Sequence, residues 1–146
     1  MTATLCKEGN CELVFVYGTL RRGFRLHYHL LRLGARFQSE GRVAGELFDF
    51  GPYPGARPTT ARGRWVRGEI FKLRRPEHDL HVLDQVEGFR PGVPHTCEYV
   101  RGWTNVTLAG SSPVRAWIYW WRERATSGRR IISGDYAQWR TAESLK

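Results

Sequence analysis

Long apolar runs, cysteine and acidic side chains are all in short supply in this chain. No apolar stretch approaches the ~20 residues needed to cross a bilayer, and Met1 to Glu12 carries no apolar leader segment. The expectation is a cytoplasmic protein with no membrane partner. The three cysteines, Cys6, Cys11 and Cys97, are odd in number and show no Cys-x-x-Cys spacing, which argues against a secreted disulfide scaffold and for reduced, unreactive thiols. Acidic residues number 14 against 23 lysines and arginines, a formal charge of +9. The basic residues are scattered from Lys7 to Lys146 in short clusters such as Arg21-Arg22 and Arg129-Arg130, with no basic tail or continuous basic helix. That pattern reads as a solvated basic surface, with no specific nucleic-acid partner. Internal repeats and low-complexity linkers are also absent.

Apolar residues, by contrast, make up 41% of the chain and aromatics 13%, with six tryptophans, far from the composition of a disordered chain. A chain of 146 residues fits one domain that buries roughly 68–70% of its unfolded surface. We divide it into a short N-terminal extension, residues 1–12, and a single domain, residues 13–146.

Leu13-Val14-Phe15-Val16 is a β-branched and aromatic run that reads as a buried strand, and Gly18 ends it abruptly. Tyr17-Gly18-Thr19-Leu20 is then a strand-to-loop corner. Leu26, Leu30, Leu31 and Leu33 lie near helical spacing, with Gly34 as a stop. Strand-like pieces follow at residues 35–37 and 41–50, and Gly51-Pro52-Tyr53-Pro54-Gly55 predicts successive turns. Residues 65–73 read as a strand. Pro76 suits the first turn of a helix through Leu80, Leu83 and Val86 that Gly88 ends. Residues 99–108 and 113–121 alternate as antiparallel strands do, whereas residues 131–145 fit neither pattern clearly. Strands outnumber helices without βαβ alternation, which predicts an α+β fold: a mixed β-barrel or curled sheet flanked by a few helices.

Several of these segments, in this order, resemble the γ-glutamylcyclotransferase-like (AIG2-like) family. They are Phe15-Val16-Tyr17-Gly18-Thr19-Leu20-Arg21-Arg22-Gly23, Tyr53-Pro54-Gly55-Ala56, Val66-Arg67-Gly68-Glu69-Ile70-Phe71 and Leu83-Asp84-Gln85-Val86-Glu87-Gly88, followed by Tyr99-Val100-Arg101, Ala116-Trp117-Ile118-Tyr119 and Ile132-Ser133-Gly134-Asp135-Tyr136. The resemblance implies release of the γ-glutamyl group of a peptide or amine as 5-oxoproline. It also implies that Glu87 is the catalytic acid/base and that the loop of Tyr17, Gly18, Thr19 and Leu20 grips the substrate through backbone amides. One stretch departs from the pattern: members often carry an Asn-His-like pair after the first glycine, where this chain has Phe24-Arg25-Leu26-His27.

Such a cyclisation has the substrate's own α-amine attack its γ-carbonyl, so it calls for no enzyme nucleophile, metal or cofactor. A glutamate within reach moves the protons. Gly18 permits positive φ and close backbone approach, and the amides of Gly18, Thr19 and Leu20 make a concavity for a carboxylate or oxyanion. Tyr17 and Tyr99 are candidate cavity walls, Arg21 a supplement to the positive field, and Asp84 an orienting residue. The expected partner is a small γ-glutamyl substrate, and the assembly a monomer or homodimer. Two histidine pairs, His27/His29 and His78/His81, have no third ligand near them in sequence, and no metal is expected. The competing expectation is a non-catalytic member of the same fold that binds a small ligand or a protein.

Overall fold

The apolar run at residues 13–16 becomes the central strand, and its burial explains its composition. In the computed structural model, which describes residues 11–122 and 128–145, Val14 and Val16 face one buried cluster with Leu30, Leu80, Leu83 and Tyr119. Phe15 and Tyr17 face the other, with Val43, Leu47, Val66, Ile118 and Tyr136. A strand buried on both faces needs a continuous apolar run rather than alternation. Residues 1–10 of the expected extension, Cys6 and Lys7 among them, lie outside the described residues, as do residues 123–127 with Arg124.

The elements run β1 (Leu13–Val16), α1 (Tyr28–Arg32), β2 (Arg36–Ala44), β3 (Glu46–Asp49), β4 (Pro54–Arg57), β5 (Trp65–Lys72), α2 (Pro76–Glu87), a 3-10 turn (Pro94–Thr96), β6 (Tyr99–Val106), β7 (Val114–Trp121), β8 (Arg129–Arg130) and α3 (Tyr136–Ser144). Five strands form one sheet in the order β2-β5-β1-β7-β6, and a smaller sheet has the order β4-β3-β8. All ladders are antiparallel except β1 with β7. The large sheet curls until its edges meet at a single bridge, where the Arg42 amide donates to the Thr107 carbonyl at 3.1 Å and the Thr107 amide returns the bond at 2.8 Å. Among the described residues the fold is thus α+β with a curled sheet and three helices, and no closed barrel forms.

Three details differ from the sequence reading. β2 is continuous where two pieces were expected, with a register shift between Phe37 and Ser39. Pro54 and Gly55 belong to β4 rather than to the turn. The unclear tail forms α3, whose N-cap Asp135 accepts from the Gln138 amide at 3.2 Å. Cys97 is a free, buried thiol, but Cys11 is disulfide-bonded, against the expectation of reduced thiols. Among the described residues no helix is long and apolar enough to cross a membrane.

α2 is the element that places the site. Pro76 occupies its first turn, and the Arg75 amide donates to the buried Asp79 carboxylate at 2.9 Å, a cap of the kind that satisfies a free helix-end donor. Leu80 and Leu83 bury the inner face. Gly88 stops the helix at φ 72°, the left-handed conformation that glycine enters without a Cβ clash. The helix therefore ends at Glu87, beside the end of β1.

Candidate active site

Past Val16 the chain keeps Tyr17 buried and then folds into a tight turn in which the Arg21 amide donates to the Gly18 carbonyl at 3.0 Å. The Leu26 amide closes a wider loop on the Thr19 carbonyl at 3.1 Å, and a His27 ring nitrogen lies 2.9 Å from the Leu20 carbonyl. The loop thus spends its carbonyls on itself. Among the described residues the amides of Gly18, Thr19 and Leu20 donate to no protein acceptor. Gly18 does not use the positive φ open to it. Its glycine is required by close approach: a Cβ there would stand 2.5 Å from Cγ of Pro54.

Behind the loop lies a dense ionic cluster. Buried Glu69 accepts the Arg22 amide at 2.9 Å and the Arg22 Nε at 3.3 Å. Arg21 is also buried, with Nε 3.7 Å from Glu69 and NH1 bonded to Asp135 at 3.0 Å. Arg21 therefore anchors the loop from the far side and does not line the cavity, which corrects the role expected for it.

In front of the loop is a recess lined by residues 15–20 with Pro54, Glu87, Tyr99 and Tyr119. Its volume is ≈ 20 Å³, about the space of one water. It shares Thr19, Glu87 and Tyr99 with an outer cleft of ≈ 440 Å³, whose walls include Arg25, Tyr53 and Glu98. The structure thus brings together the six residues to which the sequence assigns catalysis or substrate contact: Tyr17, Gly18, Thr19, Leu20, Glu87 and Tyr99. It adds Pro54 and Tyr119, which the sequence reading quoted but gave no role in the cavity. It also adds Arg25 in the outer cleft.

The tyrosine hydroxyls around this recess are already committed. Tyr17 donates to the Tyr119 carbonyl at 2.6 Å and accepts the Ala56 amide at 3.1 Å. Tyr99 donates to the Pro54 carbonyl at 2.5 Å. Tyr119 donates to Asp84 Oδ1 at 2.7 Å, and Asp84 is held in turn by Arg101 at 2.7 and 3.2 Å. Burial, foremost, raises all three phenols above their ordinary range, so they stay protonated. They are walls and props rather than proton carriers.

Glu87 differs from these groups. Its carboxyl accepts no hydrogen bond from a described residue, and desolvation pushes its pKa up from 4.5 to about 7, with Arg25 pulling the other way. A carboxyl poised near neutrality exchanges protons in both directions at physiological pH. The two histidine pairs stand apart from it. Among the described residues no group of three or more His, Cys, Asp or Glu could hold a metal ion.

A curled sheet, a loop of unused amides and a desolvated carboxyl at a helix end define a class of small cleft proteins, and comparison with known proteins places the chain within it. Residues 14–140 match the family model described as gamma-glutamyl cyclotransferase, AIG2-like; the chain belongs to that family. A Vibrio cholerae protein provisionally named gamma-glutamylcyclotransferase is 37% identical over 127 residues, which cover 87% of this chain and 96% of that protein. A mouse AIG2-like crystal structure superposes with TM-score 0.69 at 26% identity, covering 86% of this chain and 87% of that one. A Bacillus subtilis structure reaches TM-score 0.72 at 25% identity over 92% of this chain, but only 43% of its own length.

Proposed function

We propose that the chain is a γ-glutamylcyclotransferase in which Glu87 carries the protons. The observation that supports this most is the pairing, in one recess, of an unbonded carboxyl raised to about 7 with the unused amides of the loop after β1. The γ-glutamyl group enters the recess, which widens to admit it, and its leaving amine projects into the outer cleft. Ionised Glu87 takes a proton from the substrate's α-ammonium, and the freed amine attacks the γ-carbonyl carbon. The oxygen of the tetrahedral intermediate takes negative charge, which the loop amides stabilise. As the γ-amide C–N bond breaks, Glu87 returns its proton to the departing nitrogen. The new ring nitrogen loses its remaining extra proton to water, leaving 5-oxoproline and the free amine. Holding the substrate folded supplies much of the rate, since well-oriented intramolecular attack is worth roughly 7–11 kcal/mol.

The test is a screen of the protein against glutathione, γ-glutamyl dipeptides, γ-glutamyl-ε-lysine and γ-glutamylamines, with 5-oxoproline as readout. We expect turnover of at least one, with kcat/KM rising with pH through about 7 as Glu87 ionises. Absence of turnover throughout would point instead to a ligand-binding member of the family.

A further inference from the structure

Arg25 stands where the chain departs from the family pattern, and its surroundings give it a task. It leaves the loop between the Gly18 turn and α1 and reaches the segment between β3 and β4, where it donates to the Pro52 carbonyl at 3.2 Å. That bond is exposed, and its acceptor is neutral. Among the described residues Arg25 forms no ion pair with a carboxylate. It lines the outer cleft beside Glu87, and its positive charge opposes the desolvation of that carboxyl. The same cleft holds the Glu98 carboxylate, which accepts the Tyr53 hydroxyl at 3.2 Å. An exposed guanidinium with a single bond to a carbonyl exchanges it readily for a charge-assisted, two-pronged bond to a carboxylate.

We infer that Arg25 is a specificity-determining residue that receives a carboxylate on the departing amine, so that the protein selects γ-glutamyl amino acids and peptides over γ-glutamyl alkylamines. The inference rests on Glu87 working at the mouth of the recess. In a γ-glutamyl amino acid the leaving nitrogen and the carboxylate are separated by one carbon. A substrate that places its scissile nitrogen at Glu87 therefore presents its carboxylate to the adjoining wall. Arg25 attracts that carboxylate, whereas the like charge of Glu98 repels it.

The experiment compares γ-glutamylglycine with γ-glutamylethylamide, which differ in the carboxylate of the leaving group. Wild-type protein is expected to favour γ-glutamylglycine by roughly tenfold in kcat/KM, the scale of one charge-assisted hydrogen bond. Arg25→Gln is expected to bring that ratio close to one, chiefly by raising KM for γ-glutamylglycine, and Arg25→Lys to restore part of it. Equal turnover of the two substrates by wild type, or an unchanged ratio in Arg25→Gln, overturns the assignment and leaves the cyclotransferase reading standing. If wild type turns over neither compound, the same pair is compared by calorimetric titration. Tighter binding of γ-glutamylglycine that Arg25→Gln abolishes supports the role of Arg25 while the catalytic reading fails, and equal or absent binding overturns both.

Discussion

The loop of residues 18–22 has a glutamate on each side, Glu69 buried and Glu87 half-buried at the mouth of the recess, and the two are held in opposite ways. Glu69, behind it, is saturated: an amide and two guanidiniums of the same loop converge on its carboxylate. Glu87, in front, has no hydrogen-bond partner among the described residues and carries the cost of desolvation as a raised pKa. Satisfied carboxylates fix geometry, and unsatisfied ones keep their reactivity at the expense of stability. The contrast recurs along α2. Asp84, one turn before Glu87, is bound by Tyr119 and Arg101, and so ties the end of the helix to β6 and β7.

Substitutions that exchange the behaviour of the two sides test this division. The largest effect is expected from Glu87→Gln, which keeps the shape of the recess but removes the proton carrier. 5-Oxoproline release should fall about 10²–10⁴-fold with unchanged circular dichroism, and undiminished release would end the mechanism. Glu69→Ala removes the acceptor of the Arg22 amide and guanidinium and leaves buried Arg21 with Asp135 alone, and should cost roughly 1.5–3 kcal/mol in urea denaturation; a loss of activity without such a loss of stability would contradict the anchoring role. Asp84→Asn keeps the Tyr119 bond but discharges the Arg101 pair, and should lower stability by about 1.5–3 kcal/mol, with a smaller loss of activity than Glu87→Gln.

The smallest effect concerns Glu87 and stability. Its folded pKa, about 7, lies above its ordinary 4.5, so between those values the folded state holds more protons than the unfolded one. Wild-type stability should therefore fall as pH rises from 4.5 to 7 relative to Glu87→Gln, which lacks that titration. The gap should reach about 1–3 kcal/mol at pH 8 and vanish below pH 4.5. Parallel stability curves for the two proteins would show that Glu87 is not desolvated.

Much of this was legible in the sequence wherever local chemistry decides the outcome. The β-branched run at residues 13–16, Pro76 and Gly88 bound β1 and α2 because strand burial, the first-turn proline and a left-handed stop act over a few residues. What escaped depends on distant partners. Pro54 opens β4 because that strand lies at a sheet edge, where proline is tolerated. The polar Gln38-Ser39-Glu40 stretch continues β2, another edge, through a register shift. α3 buries only Tyr136, so its apolar signal is faint. In the site, Glu87 and the loop were indicated by family resemblance rather than by pattern. Arg21 was misplaced because its partner Asp135 lies 114 residues away, and Arg25 has no local signature.

The strand order also bears on how a recess the size of one water would take the substrate proposed for it. The β6–β7 hairpin joins the rest of the large sheet through one parallel pairing, Val14 with Trp117, and the lone Arg42–Thr107 bridge. Tyr99 and Tyr119 belong to this hairpin, whereas the loop and Glu87 belong to the other half. The recess therefore lies where the hairpin meets the rest of the domain, fastened by the tyrosine bonds to the Pro54 carbonyl and Asp84 and by that of Tyr17 to the Tyr119 carbonyl. Widening the recess therefore requires those phenol bonds to lengthen or break, which makes the hydroxyls its clasps.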